Sequence, residues 1–126
     1  TPSAHESMFR TAALFEEMGQ SDEAIAMYER AASAAINDTA ARARFRLGEM
    51  FEALENYDVA AKNYMRVAIL FLHPTLSPES MWRAGQCFEK GENRESAVKT
   101  YSDIVKEYPD SEQAESARSR LAELEA

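Results

Sequence analysis

Apolar residues recur along most of the chain at three- and four-residue intervals, the period of one helical face, and short polar turns interrupt them. The pattern is clearest over Met81–Pro109. There Trp82, Gly85 and Phe88 are spaced by three, and beyond the turn at Gly91-Glu92-Asn93 the residues Ala97, Tyr101, Ile104 and Val105 follow i, i+4, i+7, i+8. This stretch reads as two short amphipathic helices joined tightly. Gly85 and Ala97 are trimmed where the two helices must cross closely. Such a unit cannot bury its apolar faces alone, so it implies neighbours of the same kind.

The same period extends to both ends. Ser3-Ala4-His5-Glu6 has capping-box spacing, which predicts a first helix from near Ala4 that stops before Gly19. Its partner runs from Asp22 to about Ala35. After the connector Asn37-Asp38-Thr39, a helix covers Ala40 to about Leu54, and Asn56 is placed to cap the next, Tyr57 to about Leu72. The loop from His73 to Pro78 is the longest, with Ser77 read as the cap and Pro78 as the first helical position. Helices from Pro78 to Lys90 and from Arg94 to Glu107 follow. A last helix starts after Asp110-Ser111 and carries Ala114, Ala117, Leu121 and Leu124 on one face.

Self-comparison exposes a repeat. A small residue, an aromatic three later, an Ala twelve later and a Tyr sixteen later occur as Gly85, Phe88, Ala97 and Tyr101. They recur as Gly48, Phe51, Ala60 and Tyr64, and as Ala12, Phe15, Ala24 and Tyr28, at steps of 36 and 37 residues.

This pattern resembles the tetratricopeptide repeat, whose signature is a small residue, an aromatic, Ala, an aromatic and a terminal Pro over about 34 residues. The resemblance spans roughly His5 to Ser111, with Ala12 standing for Gly in the first unit and only the third unit ending in Pro. It implies an all-α fold: a right-handed superhelix of three helical hairpins, at approximately 5–38, 41–74 and 78–111, and a capping helix over 112–125. Glu125 stands where a fourth unit would carry its aromatic, which favours a cap over a truncated repeat. The tail YPDSEQAESARSRLAEL is similar to that of bacterial cell-envelope tetratricopeptide proteins, the periplasmic Tol–Pal-associated and outer-membrane-assembly families among them. That similarity suggests a bacterial source and leaves cytoplasm and periplasm both open.

Composition narrows the function. A chain of 126 residues with 45% apolar content suits one domain with a continuous core. It does not begin with Met and reads as a piece of something longer. The longest apolar run, Val67–Leu72, is far short of the roughly 18 residues of a membrane span. A net charge of −8 disfavours nucleic acid as a partner, because phosphate binding is driven by Lys and Arg. Cys87, the single cysteine, lies beside Phe88 and reads as a small buried hydrophobe. His5 and His73 have no second His or Cys at metal-ligand spacing, and the glycines do not form a phosphate loop. No nucleophile, base and orienting group can be named together, so neither enzyme activity nor a cofactor is expected.

One ladder stands out. Arg10, Arg46 and Arg83 sit two residues before each small residue, a large aromatic (Phe9, Phe45, Trp82) precedes each, and Arg120 continues the steps. In the resembling family the first helix of each hairpin lines a concave groove, which implies that these pairs point into or beside it. Guanidinium groups beside aromatic rings can hold a peptide by carboxylate forks and apolar contacts. A purely internal role is open as well. Glu16, Glu52 and Glu89 recur six residues after the arginines and Glu49 lies three after Arg46, so they can form an ion-pair lattice while the aromatics pack between repeats. The clamp with which chaperone-binding members of that family hold a terminal carboxylate is missing, since its first Lys and Asn resemble Phe9 and Ala13 here and Glu49 replaces the second Asn.

The run Ile69, Leu70, Phe71 and Leu72 ends a helix that is apolar on every side. It is expected to be buried beneath the Pro74–Pro78 loop and the helix around Met81, or else to form a contact patch. Two functions follow from the sequence. The chain binds a partner peptide or helix in the groove, or it is a structural spacer or self-associating unit, possible as a homo-oligomer, with that run as its contact.

Overall fold

A computed structural model describes residues 3–126 and contains seven helices among them: α1 (Ala4–Glu17), α2 (Ser21–Ser33), α3 (Asp38–Ala53), α4 (Tyr57–Phe71), α5 (Leu76–Lys90), α6 (Arg94–Glu107) and α7 (Glu112–Glu125). No described residue lies in a strand. Each helix packs on its neighbours in the chain, and α1 with α3 and α5 with α7 also touch. The result is three stacked hairpins closed by α7. Among the described residues no helix is long and apolar enough to cross a membrane.

Local chemistry sets most helix ends. Ser3 accepts the amide of Glu6 at 3.1 Å, Asn37 that of Ala40 at 2.8 Å, Asn93 that of Ser96 at 3.2 Å and Ser111 that of Ala114 at 3.0 Å. Two expected caps are corrected. Asn56 stands at the N-cap of α4 but makes no side-chain cap bond. Ser77 does not cap α5, which starts at Leu76 and buries Ser77 inside it. His73 takes over this role, its Nδ1 accepting the amide of Leu76 at 3.0 Å and that of Thr75 at 3.3 Å. Pro78 consequently falls in the third helical position, where a missing N–H still costs no intrahelical bond.

Each hairpin turns through one residue with positive φ: Gly19 at 75°, Glu55 at 61° and Glu92 at 61°. Only the first of these is a glycine, although Gly91 adjoins the third. Leu72 ends α4 in the same left-handed region, at φ 42°.

The core follows the repeat. Tyr28, Tyr64 and Tyr101 are the largest fully buried side chains, one to each hairpin. In the second and third hairpins the tyrosine ring packs directly against a glycine. A Cβ on Gly48 would meet Tyr64 Cδ1 at 2.6 Å, and one on Gly85 would collide with Cε1 of Tyr101. Cys87 is buried as expected, and burial pushes its thiol up to about 12, so it is not a nucleophile. Arg44 is buried too, donating from Nη1 to Asn63 Oδ1 at 3.1 Å.

Candidate functional site

The arginines project from α1, α3, α5 and α7 and, beyond the first, are engaged with glutamates. Arg46 forks onto Glu16 of the preceding hairpin, with Nε at 2.9 Å and Nη2 on the other oxygen. Arg120 does the same to Glu89, with Nε 3.0 Å from Oε2 and Nη2 2.6 Å from Oε1. Each of these glutamates also accepts a hydroxyl from its own hairpin's tyrosine: Tyr28 to Glu16 at 2.9 Å and Tyr101 to Glu89 at 2.5 Å. The rung is therefore tyrosine, glutamate, then arginine of the next unit. Sequence reasoning missed the tyrosine, although Glu and Tyr keep a fixed separation of twelve residues in all three units.

The middle rung differs. Tyr64 donates to Glu52 at 2.8 Å, but Lys90 Nζ, not Arg83, reaches that carboxylate at 3.2 Å. Arg83 instead donates to Glu49 at 3.1 Å and to Glu79 at 3.4 Å. Glu49 also accepts from Arg46 at 3.1 Å, so one carboxylate ties α3 to α5. Arg83 is left lying over the ring of Phe45, 5.2 Å from its centroid, in a cation–π contact. Arg10 is exposed on α1 and makes no ion pair among the described residues.

The aromatic column packs differently from the expectation of contact between repeats. Phe9 meets Tyr28, Phe45 meets Tyr64 and Trp82 meets Tyr101, at 5.4, 5.4 and 5.2 Å between centroids, each within its own hairpin. The cause is geometric. The aromatic precedes the small residue by three, one helical turn, and so leans on the tyrosine that fills the gap above that small residue.

Electrostatics agree with this geometry. The Arg120 guanidinium, against the cost of burial and with help from the Tyr101 hydroxyl, holds the Glu89 carboxyl below its ordinary value. Burial first, and then the neighbouring carboxylate, raise the Tyr101 hydroxyl, so it stays a donor at every ordinary pH. These pairs remain 35–38% open to solvent on the arginine side, so each contributes modestly.

Clefts open along this face. One of about 400 Å³ is lined by Trp82, Glu115, Ser116, Ser119, Arg120 and Glu123. A second, of about 410 Å³, lies among Phe9, Ala13, Glu16, Glu17, Tyr28 and Arg46. A third, of about 370 Å³, is bounded by Arg46, Glu49, Glu52, Ala53, Arg83 and Lys90. By sequence Glu17 and Glu115 read as commonplace carboxylates of solvated helices, and Glu123 escaped notice although it keeps the place of Glu49, three residues after its arginine. No group of three His, Cys, Asp or Glu among the described residues is placed to hold a metal ion.

The apolar run of α4 is not buried beneath the following loop. Ile69, Leu70 and Leu72 are 67%, 49% and 75% exposed, and Phe71 is half-buried. The helix ends at Leu72 in a left-handed turn, and the loop that follows leaves these side chains uncovered. Ile36, at the matching point of the first unit, is 76% exposed and faces Phe71 and Leu72 across a cleft of about 220 Å³. His73 closes one side of it through Asp38, at 3.1 Å.

Comparison with known families gives two matches, each to a family described as tetratricopeptide repeat, over residues 9–80 and 79–111. No curated protein matches the chain.

Proposed function

The chain belongs to the tetratricopeptide repeat family, a class of non-catalytic helical scaffolds that bind other proteins, and from that premise we propose that it captures a partner peptide or helix on the face formed by α1, α3, α5 and α7. The residues assigned to contact are Phe9, Arg10, Phe45, Arg46, Glu49, Trp82, Arg83 and Arg120. The observation that carries this reading is the cleft beside Trp82, where a half-buried indole sits within a ring of polar groups. An aromatic wall with a polar rim is the usual make-up of a peptide anchor. Replacing Arg46 and Arg83 together with Ala is expected to weaken capture of a natural partner while the circular dichroism stays helical. Replacing Lys62 and Lys99, exposed on α4 and α6, is the control. Capture unchanged by the arginine pair overturns the assignment.

A second reading is favoured by the exposed side chains Ile36, Ile69, Leu70 and Leu72. In it the chain is a spacer or self-associating unit that buries this patch against another copy. Sedimentation over a wide concentration range decides it: a strict monomer at the highest concentration removes self-association.

A further inference from the structure

A row of arginines read from sequence suggests an acidic ligand, but three of the four are already paired with carboxylates, and Arg10, which is not, lines none of the clefts on this face. Arg46 faces both Glu16 and Glu49, Arg83 faces Glu49 and Glu79, and Arg120 faces Glu89 and Glu123. Every one of these guanidiniums already has two carboxylates. A ligand carboxylate would have to displace a glutamate and then sit in the field of the others, so its fork with arginine brings little net gain.

The surplus charge is negative. The clefts along this face are lined by six carboxylates against four cations. Two of the carboxylates, Glu17 and Glu115, have no cationic partner among the described residues. They border the two clefts with an aromatic wall, Glu17 the Phe9 cleft and Glu115 the Trp82 cleft. An aromatic wall with an unneutralised carboxylate beside it recurs at both ends of the face, and the whole chain carries a net charge of −8.

We propose that the occupant of this face is a cationic amphipathic segment, whose apolar side chains sit against Phe9 and Trp82 while its Lys or Arg side chains pair with Glu17 and Glu115. The assignment rests on the partner-binding reading above and fixes the chemistry of the partner. The ladder arginines keep their contact role through their apolar stems, while their guanidiniums hold Glu16, Glu49 and Glu89 in place and so keep the seats in shape. Attraction between opposite charges draws the segment in and makes its capture sensitive to salt.

Trp82 is the only tryptophan and lines one seat, so its emission reports occupancy directly. The experiment titrates the full chain with a fourteen-residue helical peptide bearing Leu on one face and Lys on the other, and with the same peptide carrying Glu for Lys. The Lys peptide is expected to shift the Trp82 emission and to bind about tenfold tighter than the Glu peptide near neutral pH. Glu17→Gln with Glu115→Gln leaves the ladder bonds untouched and is expected to weaken the Lys peptide roughly fivefold. Glu95→Gln with Glu107→Gln removes the same charge from exposed positions on α6 and is expected to change binding less than about twofold. Equal or tighter binding of the Glu peptide overturns the charge assignment but leaves the partner-binding face standing. Equal weakening by the α6 pair also overturns it, since the attraction is then one of net charge alone. If neither peptide moves the Trp82 emission, the partner-binding reading falls together with it.

Discussion

The first and third hairpins are built on the same four positions, yet they place glycine differently. In the third, Gly85 lies under the Tyr101 ring, where a methyl group has no room, and the turn is made by Glu92 in a left-handed conformation. In the first, Ala12 occupies the crossing and Gly19 makes the turn. Each hairpin has thus eased one of its two tight points and left the other under constraint. The third gains close packing at its crossing and accepts strain in its turn; the first relaxes the turn and holds its helices around an extra methyl. The tyrosine is common to both and completely buried in both. It is the tyrosine ring, not the identity of the small residue, that sets how the two helices meet.

The contrast can be broken most sharply at the crossing. Gly85→Ala forces a Cβ into the Tyr101 ring and is expected to cost about 2–3 kcal/mol in urea unfolding, whereas Ala12→Gly should cost about 1 kcal/mol or less, the ordinary helix penalty. Equal losses at the two sites would mean that the third hairpin yields as readily as the first. The turn gives a smaller effect of opposite sign. Glu92→Gly is expected to raise stability by about 0.5–1 kcal/mol because the left-handed residue loses its side-chain clash, while Gly19→Ala lowers it by a similar amount. Swapping both sites at once tests whether strain and packing add.

The smallest effect concerns acid. Glu89 is held below its ordinary value, chiefly by Arg120, so it binds its proton less readily in the folded chain than in the unfolded one. Its contribution is complete above the unfolded value of about 4.3 and is lost as the pH falls through the lower folded value. Stability of the native chain and of Glu89→Gln, measured from pH 7 to pH 3, should therefore converge at the acid end. A gap that stays constant over that range would show that the carboxylate charge has no part in the rung.

Much of this architecture was legible because the repeat places the same physics at the same spacing. The bounds of α6, Arg94–Glu107, follow directly from its apolar face and its cap at Asn93. The start of α5 does not, because the groups that satisfy its first amides come from an imidazole outside the helix, and a serine followed by proline resembles a cap more closely. The ladder was legible as a column of arginines, and Glu16, Glu49 and Glu89 were legible as its ion-pair lattice; which arginine takes which glutamate was not, because the cross-hairpin partners lie some thirty residues apart, a separation that helical periodicity cannot signal. The middle rung departs from its neighbours because Lys90 competes for Glu52, a detail that depends on side-chain reach. Exposure of Ile69 and Leu72 was likewise hidden, since it depends on how the following loop runs and not on the helical period.

The carboxylate of Glu49, shared between guanidiniums of successive hairpins, has a mechanical consequence. Bending the stack so that α3 and α5 part must stretch one of its two bonds, so the resistance to flexing at that seam is partly electrical. Pairs this open to water weaken when dissolved ions crowd within about 8 Å at physiological salt. Ionic strength therefore sets the stiffness of the spring as well as the attraction for a charged guest, and the same shift that loosens a cationic segment also lets the stack curve more freely around it.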